Sequence, residues 1–163
     1  MYTNNQLRLD PLTGRWIAVA EGRSYRPSAF ANALSDAIPF QQSKSECPFC
    51  PGAEDATPPA LETYGPTGSW TVRVVPNLYP AFSGDEPMVT TSKGPVFTQA
   101  PASGIHEVLI LSQDHDASWA DLDDRQIGVV MSAVRDRMDA HAHSKVIRYS
   151  QVIVNWGRAA GAS

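Results

Sequence analysis

The chain has few cysteines, no surplus of basic residues and no long apolar run, and each shortage removes a class of function. Two cysteines among 163 residues cannot build the disulfide framework of a small secreted domain. Thirteen lysines and arginines against 17 aspartates and glutamates leave a net charge of -4. Non-specific binding to a phosphate backbone depends on releasing counterions against clustered cations, so a nucleic-acid partner is disfavoured. No stretch approaches the roughly 20 apolar residues that a membrane-spanning helix needs. The opening residues MYTNNQLRLD have neither the basic n-region nor the apolar h-region of a secretory signal. A cytoplasmic protein with no membrane association is expected. No internal repeat and no domain boundary is visible along the chain.

What is present is ordinary globular composition, 42% hydrophobic and 18% charged, with 13 prolines that point to many turns and extended loops. One domain over residues 1–163 is expected. Residues 7–10 and 15–20 flank Pro11-Leu12-Thr13-Gly14 and read as a β-hairpin, with Trp16 and Ala18 on one face and Ile17 and Val19 on the other. Residues 21–46 and 51–69 read as loop. Thr71–Val75 is a β-branched run ended by Pro76, and Ile105–Leu111 is a second strand. The Pro/Gly/Ser-rich excursion between them, residues 80–103, is expected to be irregular and mobile. Asp123 with Gln126 gives an N-cap and capping-box signal. Ile127, Val130, Met131, Val134 and Met138 then repeat at helical spacing, so a helix over 124–141 is predicted. Residues 149–155 read as a last strand. The fold class is therefore α+β, an antiparallel sheet with one long amphipathic helix packed on one face.

Cys47-Pro48-Phe49-Cys50 brings two sulfurs to the same side of a turn, as zinc requires at about 2.3 Å from each thiolate. A thioredoxin-like redox pair is the competing reading, but Pro51-Gly52 and a loop follow Cys50, where a redox pair needs a helix N-terminus to lower a thiol pKa. His115, in the polar turn after the second strand, is the best-placed third ligand, but from composition alone it reads more readily as an exposed loop histidine. His106 is either a half-buried histidine bonded to backbone or a residue lining a site. His141 and His143, near the helix end, suit the helix dipole better than a metal.

Several weak motifs in one order are more specific than any one alone. Leu9-Asp10-Pro11-Leu12-Thr13-Gly14-Arg15-Trp16-Ile17, Arg23 and Arg26-Pro27, the Cys-x-x-Cys turn, Asn77-Leu78-Tyr79-Pro80, Asp114-His115 and the ending 155–163 together resemble the N-terminal half of the galactose-1-phosphate uridylyltransferase family, of the histidine-triad superfamily. The resemblance covers nearly the whole chain and implies a histidine-triad-like half-barrel. It implies that Cys47, Cys50 and His115 are zinc ligands and that the fourth, the first histidine of the family's His-x-His-x-Gln motif, lies beyond Ser163, with the C-terminal half of the family absent. It implies that Arg23 and Arg26 reach toward the sugar nucleotide across a homodimer interface, in keeping with the fit of a guanidinium fork to diphosphate oxygens. Asn77 and Leu78 would meet the nucleoside, although Asn77 alone reads equally as an Asx-type turn. Asn155, Gly161 and Ser163 would wrap the phosphate, although unaided the segment reads as a small-residue tail.

The activity implied is uridylyl exchange between UDP-glucose and galactose-1-phosphate through a uridylyl-histidine. His141-Ala142-His143 imitates the nucleophile spacing, but it precedes the last strand where the family motif follows it, so this chain alone is expected to be inactive. A separate polypeptide carrying the second half is a conceivable partner. Two further readings stay open: a nucleotide-sugar phosphorylase of the same fold, and a non-catalytic zinc-stabilised nucleotide-binding module.

Overall fold

The computed structural model describes residues 5–25 and 44–155. These gather into two compact units, one of residues 5–25, 79–106 and 144–148 and the other of residues 44–78, 107–143 and 149–155.

The first unit is built on the predicted hairpin. Strands β1 (Gln6–Leu9) and β2 (Trp16–Val19) pair antiparallel with Gln6 opposite Val19 and Leu9 opposite Trp16. Asp10 closes the turn: its carboxylate accepts from the Leu12 amide at 2.9 Å and from the Thr13 hydroxyl at 2.6 Å. Gly14 follows at φ +70°, a left-handed conformation that costs glycine no Cβ clash. The sheet does not stop at the hairpin. After β3 (Glu62–Tyr64) and β4 (Val72–Pro76), which belong to the second unit, the expected excursion 80–103 supplies β5 (Thr91–Lys93) and β6 (Phe97–Pro101) to the first. The sheet runs β2-β1-β6-β5, with Leu7 opposite Ala100 and Ser92 opposite Thr98. β6 carries no β-branched run; it is a strand because β1 offers it a ladder, which is tertiary context overriding local propensity. Its proline sits at the last ladder position, where the missing N–H does least harm.

The second unit holds a three-stranded antiparallel sheet of β3, β4 and β7 (Glu107–Ile110), with β4 in the middle. β3 lies inside the segment expected to be loop; three residues are too few to show a period. Helix α1 (Asp124–Ala142) packs Val130 and Ala133 against Val72, with Tyr64, Leu109, Leu111, Leu122 and Val129 around them. The expected cap is half right. The Asp123 side chain accepts from the Gln126 amide at 2.7 Å, but the Gln126 side chain leaves the capping box and donates to the Thr71 and Leu111 carbonyls. The inward stripe is accordingly Gln126, Val130, Ala133 and Arg137, while the expected core residues Met131 and Met138 are exposed. Residues 149–155 form no strand: Tyr149, Val152, Ile153 and Val154 are exposed and find no ladder partner among the described residues. No helix among those residues is long and apolar enough to cross a membrane.

Candidate metal centre

The alternation of β4 decides which side chains reach the cysteine turn. Val72 faces the helix, so Arg73 points to the opposite face of the sheet, where it meets the turn of Cys47 and Cys50. That turn is wound by its own backbone: the Cys50 amide donates to the Cys47 carbonyl at 3.3 Å, and the Ala53 amide to the Cys50 carbonyl at 3.1 Å. Both cysteines are free and buried. The third residue arrives from the far end of β7. There the Ser112 hydroxyl accepts from the Asp114 amide, and the Asp114 carboxylate from the Asp116 amide, which holds the polar turn that carries His115.

His115 Nδ1 lies 3.2 Å from Cys50 Sγ, and the ligand atoms of Cys47, Cys50 and His115 all lie within 4.8 Å of one another. Two thiols and an imidazole converging at that spacing are the donor set that zinc favours. Burial first, and then the neighbouring Cys47 thiol, push the Cys50 thiol above its ordinary value of 9.0. A thiol placed so needs a nearby cation to ionise, and a bound dication provides that charge. The arrangement fits a metal ion.

The remaining histidines are engaged elsewhere. His106 lies just before β7, half-buried, and its Nδ1 accepts from the Ala81 amide at 3.0 Å, so the backbone-bonded reading describes it. His141 Nε2 lies 3.2 Å from a Glu107 carboxylate oxygen, and His143 Nδ1 lies 2.8 Å from the Asp139 carbonyl oxygen at the helix C-cap.

The substrate candidates are distributed over both units. In the first, Arg23 sits in a short 3-10 helix, Glu21–Tyr25, and its guanidinium donates to the Tyr79 carbonyl at 2.9 Å. In the second, Asn77 follows β4 half-buried, Leu78 is exposed, and Asn155 is exposed. Arg26, Gly161 and Ser163 lie outside the described residues.

Four residues around the metal centre, Arg73, Trp70, Glu54 and Gln113, were not among the candidate site residues. The Arg73 guanidinium donates to Thr57 Oγ1 and to the Pro48 carbonyl inside the cysteine turn. Trp70 donates its indole N–H to Glu54 at 2.9 Å, which holds that carboxyl below its ordinary value, and Gln113 donates to the Trp70 carbonyl. Only Arg73 left a trace in the sequence, as a lone charge inside Val72-Arg73-Val74-Val75.

Comparison with known proteins gives the chain a family. The family described as Galactose-1-phosphate uridyl transferase, N-terminal domain, matches residues 1–163. An ADP-glucose phosphorylase of Arabidopsis thaliana is 35% identical over 97% of this chain and 45% of its own length. A galactose-1-phosphate uridylyltransferase of Thermotoga maritima is 28% identical over 97% of this chain and 43% of its own. Among solved structures, an Arabidopsis thaliana ADP-glucose phosphorylase with bound ADP-glucose superposes with a TM-score of 0.59 at 31% identity, over 96% of this chain and 44% of that one. A uridylyltransferase mutant gives 0.56 at 26% identity, over 86% and 35%. The chain spans less than half the length of each of these relatives.

Proposed function

Because the chain belongs to the galactose-1-phosphate uridyl transferase family, we propose that it forms the metal-holding and substrate-binding part of a nucleotidyltransferase that works on a nucleotide sugar. The observation that supports this above the others is the convergence of Cys47, Cys50 and His115 from two distant loops. These residues hold zinc, which when bound supplies a fixed positive charge and cross-links the two loops.

In this reading the donor is UDP-glucose and the acceptor galactose-1-phosphate. A histidine nitrogen bonds to the α-phosphorus as the bond to the glucose-1-phosphate oxygen breaks; a phosphate oxygen of galactose-1-phosphate then takes the uridylyl group from the histidine. None of the chain's four histidines suits the role of nucleophile. His115 belongs to the metal, His106 accepts from a backbone amide, and His141 and His143 sit at a helix end. The nucleophile comes from outside these 163 residues. Arg23 and Arg26 take the diphosphate across the homodimer interface; Asn77 and Leu78 meet the nucleoside; Asn155, Gly161 and Ser163 take the phosphate. The protein acts as a homodimer in the cytoplasm, whose reducing conditions suit a pair of free thiols.

A second reading replaces galactose-1-phosphate by inorganic phosphate and uridine by adenosine, a nucleotide-sugar phosphorylase. It is favoured by one observation, the 35% identity to the ADP-glucose phosphorylase against 28% to the uridylyltransferase. Calorimetric titration of the chain with UDP-glucose and ADP-glucose separates the two. At least tenfold tighter binding of UDP-glucose supports uridylyl exchange, the reverse order supports the phosphorylase, and binding of neither overturns the assignment of these residues to a nucleotide sugar.

A further inference from the structure

The two arms of the metal centre come from separate segments of the second unit, the cysteine turn before β3 and the His115 turn after β7. Neither arm carries the other, so their separation must be set by something that touches both. Trp70, just before β4, does. Its indole N–H donates to one oxygen of Glu54 at 2.9 Å, and the other oxygen of Glu54 accepts from the Gly52 amide at 2.8 Å, two residues after Cys50. On the other side the Trp70 carbonyl accepts from the Gln113 amide group, two residues before His115, and the Ser69 hydroxyl lies 3.4 Å from the same nitrogen.

Arg73 closes the arrangement. Its guanidinium carbon sits 5.4 Å from the centroid of the Trp70 ring, within cation–π range. One amino group donates to Thr57 Oγ1 at 3.1 Å, and the other reaches the Pro48 carbonyl, between the two cysteines, at 3.4 Å. The residue is only 2% exposed, and its Nε–H has no acceptor among the described residues. A buried cation with an unsatisfied N–H is a net cost to folding, and its immediate neighbours along β4, Val72 and Val74, are both buried valines. An apolar residue would suit the core better at that position, so stability alone does not account for Arg73.

We infer that Trp70, acting through Glu54 and Gln113, and Arg73, acting through Pro48, form a clamp that sets the distance between the cysteine turn and His115, which makes them positioning residues of the metal centre. This rests on the reading of Cys47, Cys50 and His115 as ligands. Outer-shell partners of this kind change metal affinity by about 10- to 100-fold when replaced.

The test uses cobalt(II) as the probe with the whole chain, reading affinity by chelator competition and ligand geometry from the thiolate charge-transfer and d–d absorption bands. Arg73→Met is expected to weaken cobalt binding at least tenfold and to shift the d–d bands, and Arg73→Lys to restore part of both. Trp70→Phe keeps an aromatic ring beside Arg73 and removes the bond to Glu54, so it keeps the inference testable where Arg73→Met does not fold; it is expected to weaken binding in the same direction. Melting in excess chelator is measured alongside. Variants that melt lower in chelator but bind cobalt with wild-type affinity and spectrum overturn the clamp and leave these residues structural. Cobalt binding by the wild-type chain that survives Cys47→Ser overturns the ligand assignment itself, and the clamp with it.

Discussion

Replacing Arg137 by alanine is expected to destabilise the chain far more than the same change at Arg135, two residues away on the same helix. The guanidinium of Arg137 grips Glu107 with two bonds, Nε to one oxygen at 3.0 Å and an amino group to the other at 2.7 Å. Its remaining amino group holds Glu62 at 2.7 Å. The Arg137 and Glu107 side chains are 15% and 8% exposed, so the pair joins α1 to β7 with little access to water. Without Arg137, the buried Glu107 carboxylate keeps only His141, and stranding one partner of a buried pair costs about 3–5 kcal/mol. Arg135 also has an acidic partner, Asp136 at 2.8 Å, but its side chain is 74% exposed, where water and salt screen the pair and leave it little net effect on stability. Urea denaturation followed by tryptophan fluorescence measures both. With a slope of about 2 kcal/mol per molar, Arg137→Ala should lower the midpoint by about 1.5–2.5 M and Arg135→Ala by less than about 0.5 M. Equal, small shifts for the two variants would refute the claim that the Arg137 network is a buried electrostatic joint.

Other expectations rest on single contacts. Gly65→Ala places a Cβ 2.6 Å from the Thr71 amide nitrogen at a φ of +133°, so thermal unfolding should show a loss of about 1–3 kcal/mol or more. Asp123→Ala removes the acceptor for the Gln126 amide and should cost about 1 kcal/mol in the same assay. Glu62 is held below its ordinary value of 4.5, first by the Tyr64 hydroxyl at 2.5 Å and then by Arg137. A depressed carboxylate stabilises the fold above pH 4.5 and loses that contribution as pH falls through its lowered value. Melting temperature should therefore drop below pH 4.5, and Tyr64→Phe should flatten that drop; an unchanged acid limb would remove the Tyr64–Glu62 bond from the explanation.

The parts legible in the sequence were those whose signal is local. The hairpin at Pro11–Gly14 announces its own turn, Asp123 announces its helix, and Val72–Val75 is apolar enough to be a strand in any setting. The cysteine turn was equally plain, since a Cys-x-x-Cys motif contains its own geometry. His115 was not: its role appears only when β7 delivers it to Cys50, 65 residues away in sequence, and the family resemblance rather than its surroundings singled it out. β6 was hidden because its strand character lies in β1, and residues 149–155 misled because a β-branched run satisfies the strand pattern without a ladder to join. Met131 and Met138 misled in a related way. Helical spacing allows several neighbouring stripes, and the one buried in the structure is the stripe that carries Gln126 to the Thr71 and Leu111 carbonyls, next to β4 and β7, and Arg137 to Glu107, both polar anchors that a hydrophobic count passes over.

Elemental analysis of the purified chain tests the metal centre with the fewest intervening assumptions. One zinc per chain, lost in Cys47→Ser and in His115→Ala while both variants still show the α1 helix by circular dichroism, is the expected result. A wild-type chain free of metal after purification and dialysis against zinc, or variants that keep their zinc, would contradict it.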